Sequence, residues 1–291
     1  MTKTVLGIDI GGSHITAALV DLKTRSIVKG SSHRLAVNAN GSAGQIFSDW
    51  CSVINAAFQD IKTEDKRIGI SMPGPFDYKE GVCLIKDQPK FKSLYLLNIK
   101  NELSARLNMP AQHIRLVNDA AGFLQGEVFS GAAQDGKNII GLTLGTGLGS
   151  AFSTQGIAVD AELWQSKFKK DIAEAYLSTR WFVERYFQLT GEHITGVKEI
   201  NLPGKKNSAA AVIFKEFAQN LADFLLPIIT QQKADTVVLG GNIAKAYPAF
   251  LPLLNEYLSP YQLNTRIKIA ILKEDAALIG AASSWEFQLH Q

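Results

Sequence analysis

Thr4-Val5-Leu6-Gly7-Ile8-Asp9-Ile10-Gly11-Gly12-Ser13 is an apolar run that delivers a carboxylate and stops at two glycines, and an apolar stretch resumes from Thr16 to Val20. A short strand, a glycine turn and a second short strand read as a hairpin. The same pattern returns in mid-chain. Ile139 to Leu144 is strand-like, Gly145-Thr146-Gly147-Leu148-Gly149 is a glycine turn, and another strand runs on from Ala151. A glycine-turned hairpin at the head of each half predicts two related α/β domains, divided into residues 1–120 and 121–291, with the last helix free to pack back on the first.

Working outward from the hairpins, Ile46, Phe47, Trp50, Val53, Ile54, Ala57, Phe58 and Ile61 recur at intervals of three and four, which predicts an amphipathic helix. Residues 67–72 read as a strand stopped by Pro73-Gly74-Pro75. A helix is expected over 101–107, and a strand over 114–117 that leads into Asn118-Asp119. In the second half, helices are expected over 171–188 and 208–232. A strand over 236–239 ends in Gly240-Gly241-Asn242, which opens a further helix. A strand over 267–271 and a helix over 275–287 close the chain. Alternating strands and helices imply sheets flanked by helices.

The bulk numbers exclude several classes. The 291 residues carry a net charge of +3, with 46% hydrophobic and 20% charged, as in an ordinary two-domain globular protein. The basic residues are scattered, with only short pairs such as Lys169-Lys170 and Lys205-Lys206, so no nucleic-acid partner is expected. Cys51 and Cys83 form no CxxC pair. No basic segment followed by an apolar one opens the chain, and the most apolar helix is interrupted by Asp223 and Pro227. Neither export nor membrane insertion is expected, and the cytoplasm is the expected compartment.

Four motifs carry chemistry. The amides of Gly11, Gly12 and Ser13 can point at phosphate oxygens, and Asp9 can hold a magnesium ion through water; a plain glycine hairpin with Asp9 at its corner reads equally well. Gly145-Thr146-Gly147-Leu148-Gly149 resembles a dinucleotide fingerprint, but that site needs a helix directly after the glycines, whereas Ser150-Ala151-Phe152 continues as strand. A second phosphate hairpin fits better. Gly240-Gly241-Asn242 allows close approach of a phosphate or flat ring, or is simply a tight strand-to-helix turn. Asp119 either faces a cleft or merely caps the helix that follows it.

In order and spacing the four resemble the actin-like ATPases, and over nearly the whole chain the sequence resembles the ROK group of bacterial sugar kinases. The matching stretches are Gly7 to Ser13, Ile68 to Pro75, Val117 to Ala121, Leu144 to Gly149, Val238 to Asn242 and Ala276 to Ala282. The resemblance implies two actin-like (ribonuclease H-like) domains flanking a cleft, and an ATP- and magnesium-dependent phosphorylation of a hexose at its 6-hydroxyl. Asp119 would be the general base. Ser71, Asn118, Asp119, Glu162, Gln165 and Glu174 would hold the sugar. Asp9, Gly11, Gly12, Ser13, His14, Gly145, Thr146, Gly147, Gly240, Gly241 and Asn242 would hold the nucleotide. A homodimer is also implied.

The sequence departs from that family in two places. A Glu-x-Gly-His segment becomes Glu162-Leu163-Trp164-Gln165, and the three cysteines that follow it in the family are missing, so no zinc site is expected. His14 stands where Lys or Asn is usual. Two other readings differ in kind. A sugar-responsive repressor of this family carries a helix-turn-helix domain ahead of the first hairpin, where only Met1 to Thr4 stand here. A kinase-like sensor without catalysis would have little need of both Asp9 and Asp119.

Overall fold

The computed structural model describes residues 4–58, 61–62, 65–88, 90–200 and 208–286. The chain divides into two units at 134/135 and again at 273/274, so its final segment belongs to the first unit.

In the first unit β1 (Thr4–Ile10) and β2 (His14–Asp21) form an antiparallel hairpin, Ile10 opposite Ile15. β3 (Ser26–Ile27) and β4 (His33–Ala36) both add to β2. Helix α1 (Ala43–Phe58) buries Ile46, Phe47, Trp50, Val53, Ile54, Ala57 and Phe58, the face its periodicity predicts. β5 (Ile68–Met72) lies parallel to β1, and every one of its residues is buried, as in a strand covered on both faces. β6 (Phe76–Asp77) and β7 (Val82–Cys83) pair in a small ribbon, and α2 (Ile99–Leu107) follows. β8 (Ile114–Asn118) lies parallel to β5 and passes directly into α3 (Asp119–Phe129). The sheet order is β3-β2-β1-β5-β8.

The second unit repeats this scheme. β9 (Asn138–Leu144) and β10 (Leu148–Thr154) form the hairpin, and β11 (Ile157–Asp160) extends it. β12 (Lys167–Phe168) and β13 (Asp171–Ile172) make a second small ribbon. Among the described residues α4 (Glu174–Leu177), α5 (Thr179–Thr190), α6 (Val197–Ile200) and α7 (Ser208–Gln232) follow. The single helix expected over 171–188 is therefore broken. Residues 171–172 are strand, and Ser178 is extended (φ −117°, ψ 169°) between α4 and α5. β14 (Thr236–Gly240) lies parallel to β9, leads into α8 (Gly241–Ala244) and α9 (Tyr247–Leu258), and pairs in parallel with β15 (Arg266–Ile269). The order β11-β10-β9-β14-β15 is that of the first sheet, strand for strand.

α10 (Asp275–Ser283) completes the first unit. It packs through missing side chains. A methyl on Gly280 would meet the carbonyl of Gly122 and lie 2.7 Å from Gly126 N, while methyls on Gly7, Gly69 and Gly126 would strike the carbonyls of Leu278, Ala281 and Ala276. This packing holds α3 in the first unit and moves the division from the expected 120/121 to 134/135. Trp285 closes the same face by donating its indole N–H to the carbonyl of Ile68 (2.9 Å), between the guanidinium groups of Arg67 and Arg115.

Candidate functional site

In the first unit the predicted residues gather where the parallel strands end. β1 delivers Asp9, whose register partner on β5 is Ser71; Met72 pairs with Asn118 on β8, and Asp119 begins α3. In sheets of this kind ligands bind beyond the carboxyl ends of the strands.

Asn118, not Asp119, caps α3. Its Oδ1 accepts from Ala120 N (2.8 Å) and Ala121 N (3.1 Å), and its Nδ2 donates to the hydroxyl of Tyr78 (3.3 Å). Tyr78 in turn donates to the carbonyl of Met72 (3.0 Å). Asp119 is exposed, the first residue of the helix, and accepts from Ala120 N at 2.9 Å. Ser71 is placed differently from the rest. It is fully buried, and a methyl on Gly122 would lie 2.8 Å from its Oγ, so the hydroxyl faces α3.

Asp9 is half-buried, and burial pushes its carboxyl up to about 6. The charge of Asp119 adds to the shift, Arg34 opposes it, and Glu274 raises it slightly. Arg34 itself is bound to Glu274 at 3.0 Å. His14 folds back on its own turn: its ring would lie 3.3 Å from a methyl on Gly11, and Nδ1 is 3.3 Å from Ser13 Oγ. Burial and the Arg34 charge hold its pKa below the usual histidine value, with Glu274 opposing.

The Asp9 shift makes a testable statement about stability. Its folded value lies above the 3.8 of an ordinary Asp. The stability it contributes is complete below that value and is lost as pH rises through about 6. In metal-free buffer Asp9→Asn is expected to be more stable than wild type by up to about 3 kcal/mol at pH 7.5, the gap closing by about pH 4. Urea unfolding at both pH values checks this, and a gap independent of pH would count against it.

In the second unit the hairpin and the strand-to-helix turn are neighbours. Gly240 pairs with Thr143. Gly241 has φ +85°, and a side chain there would strike the backbone of Leu144, so only glycine meets both demands. Asn242 is exposed and accepts from Lys245 Nζ (2.8 Å). Gly145 to Gly147 make the turn, with Thr146 exposed at its tip. Two side chains brace it. Thr179 binds the carbonyl of Gly145 through its backbone N (2.8 Å) and its hydroxyl (2.9 Å), and Glu174 accepts from Leu148 N (3.0 Å). Glu162 and Gln165 lie on an exposed turn beside β10, where Leu163 N donates to Ser150 Oγ (2.9 Å). The structure thus sets Glu174 against the hairpin and leaves Glu162 and Gln165 at the surface.

A sequence profile of the ROK family matches residues 5–163 and 169–287. The chain belongs to the ROK family. It is 25% identical to the N-acetyl-D-glucosamine kinase of Photobacterium profundum, over 82% of this chain and 84% of that one. It is 23% identical to the glucokinase of Thermotoga maritima, over 96% of each. The structure superposes with a TM-score of 0.74 on a ROK family glucokinase from Streptomyces griseus, solved with glucose and AMPPNP, at 21% identity over 97% of this chain and 98% of that one. The actin-like fold that the resemblance implies is therefore the fold of this ROK protein. The profile breaks over residues 164–168, where Trp164 and Gln165 depart from the family pattern.

Several supports were not legible in the sequence. Tyr78 and the Arg34–Glu274 pair reach the strand ends of the first unit, and Thr179 reaches the hairpin of the second, from segments without a motif. Lys90 lies over Gly12, and no spacing rule connects residues 12 and 90. Among the described residues no cluster of three or more His, Cys, Asp or Glu side chains could hold a metal, and no helix is long and apolar enough to cross a membrane.

Proposed function

We propose that this ROK protein transfers the terminal phosphoryl group of ATP to a hydroxyl of a hexose, the 6-hydroxyl being the expected acceptor, with Asp119 as general base. The carrying observation is the division of labour at the start of α3. Asn118 caps the helix, so Asp119 presents an exposed carboxylate that the cap does not require. In the reaction a sugar O–H gives its proton to Asp119, the oxygen forms a bond to the terminal phosphorus, and the bond to ADP breaks. Such a transfer needs little covalent chemistry from the protein beyond placement and charge stabilisation.

The backbone amides of the two glycine hairpins are proposed to hold phosphate oxygens, and Gly240, Gly241 and Asn242 to border the adenosine. A magnesium ion fits Asp9. Burial and the neighbouring Asp119 charge disfavour its carboxylate, which a cation arriving with ATP would relieve. When bound, such an ion supplies neutralisation of phosphate charge. One N–H of Asn118 Nδ2 donates to Tyr78, and the other is proposed as a donor to a sugar hydroxyl. Glu162 and Gln165 are proposed as sugar contacts from their alignment with the family's sugar-holding segment, and Glu174 as support for the second hairpin. A phosphorylation screen with ATP and magnesium over hexoses and N-acetylhexosamines tests the reading; no phosphorylated product with any of them would overturn it.

Zinc does not fit. The segment between Glu162 and Glu174 has no cysteine, and contacts of another kind secure it. The Phe168 ring meets Tyr176 and Phe224 edge-on at 5.4 and 5.6 Å. Lys169 Nζ binds Asn220 Oδ1 (2.5 Å) and Asp223 Oδ2 (3.2 Å) on α7. Purified protein is expected to contain no stoichiometric zinc by elemental analysis, and a chelator should leave its melting temperature unchanged. One zinc per chain would refute this.

A further inference from the structure

The first hairpin lacks a fixed cation of its own. His14 stands where a lysine would be useful, and its ring is turned onto Gly11 and Ser13. Arg34 is engaged by Glu274. A further positive charge, not tied up in an ion pair among the described residues, reaches the turn from a residue far along the chain. A methyl on Gly12 would collide with Lys90 Cδ and lie 2.5 Å from both Cε and Nζ, so the end of the Lys90 side chain rests on the glycine itself.

This placement is built in by the neighbours of Lys90. Gln88 Nε2 donates to the carbonyl of Gly74 (3.2 Å), and Leu84 N donates to that of Pro75 (3.0 Å). On the other side Phe91 N donates to the carbonyl of Ala39 (2.8 Å), and the Phe91 ring is fully buried, edge-on to Trp50 at 5.9 Å. The loop is thus pinned on both sides of an exposed lysine, and among the described residues Lys90 takes part in no ion pair. An ammonium is a compact charge with three donors on a flexible stem. Set beside backbone amides that face a phosphate, it adds charge-assisted hydrogen bonds.

Resting on the kinase reading above, we propose that Lys90 is a phosphate-contacting residue of the transfer, bonding through Nζ to a phosphoryl oxygen of the nucleoside triphosphate held at Gly11 to Ser13. It replaces in space the cation that His14 does not provide. Glycine at position 12 then has a second reason, since any side chain would push the ammonium off the turn.

The test compares Lys90→Met, which keeps the length and removes the charge, with Lys90→Arg, which keeps the charge. Affinity for AMPPNP with magnesium is measured by calorimetry. The turnover number is measured at saturating ATP with the sugar that wild type phosphorylates fastest, and thermal melting checks folding. Lys90→Met is expected to melt as wild type does, to bind AMPPNP about tenfold more weakly or worse, and to lose at least about tenfold in kcat. Lys90→Arg should recover a substantial part of both. AMPPNP affinity and kcat of Lys90→Met within twofold of wild type would overturn the inference, as would equal losses in both variants, which would mark a packing role. If wild type itself neither binds AMPPNP nor phosphorylates any sugar, the kinase reading falls and the inference with it; if wild type works and Lys90→Met matches it, only the inference falls.

Discussion

Asp119→Asn is expected to lower the turnover number on the best sugar by at least about two orders of magnitude, because a general base contributes roughly that much to attack by an unactivated hydroxyl. Stability should hardly change. The helix cap is supplied by Asn118, whose Oδ1 accepts from Ala120 N and Ala121 N, and the amide oxygen of an Asn at 119 can still accept from Ala120 N as the carboxylate does. Loss of a negative charge in the first turn costs about 0.3–1 kcal/mol through the helix dipole. Relief of Asp9, whose ionisation Asp119 now opposes, offsets part of that. Steady-state kinetics, a melting curve and AMPPNP binding on the same preparation separate the roles. A base predicts an inactive protein that melts and binds nucleotide normally. A merely structural Asp119 predicts near-normal turnover, and that result would remove the proposed mechanism. The converse variant, Asn118→Ala, should lose a capping interaction of typically about 1 kcal/mol.

The second large effect is structural and lies where α10 meets α3. Gly280→Ala is expected to destabilise the first unit by about 3 kcal/mol or more, the upper end of what overpacking usually does. The reason is the identity of the struck atoms. A methyl at Gly280 meets the carbonyl of Gly122 and the amide of Gly126, and backbone atoms of a helix cannot rotate aside as a side chain can. α10 must then lift away from α3, and with it from the carbonyl contacts at Gly7 and Gly69 that set β1 and β5. Since β1 carries Asp9, activity should fall along with stability. Gly44→Ala is the internal control. Nothing lies within 4 Å of the methyl it would add in the first turn of α1, so it should be neutral or stabilising by up to about 1 kcal/mol. Urea unfolding of the two variants decides the matter. A loss below about 1 kcal/mol for Gly280→Ala would show that α10 does not depend on this close approach.

Local sequence determined the hairpins, α1 and the strand ends, because each rests on short-range chemistry: alternation of apolar residues, glycine where the chain turns, a 3.6-residue period on one face. The order of the motifs also brought the family into view. Asp9, Asn118 and Asp119 could be marked in advance because they stand immediately at strand ends. The sequence offers Asp119 either as a cleft carboxylate or as a helix cap; tertiary structure alone gave the cap to Asn118. It decided where the second unit begins, because α3 is retained by glycine contacts with a helix at the far end of the chain. It also broke the expected helix over 171–188, where the ribbon at 167–172 and the extended Ser178 override a helical pattern. The position of Lys90 over Gly12 belongs to the same class. It depends on Gln88 and Phe91 finding partners on distant segments, and no periodicity in the chain encodes a meeting between residues that far apart.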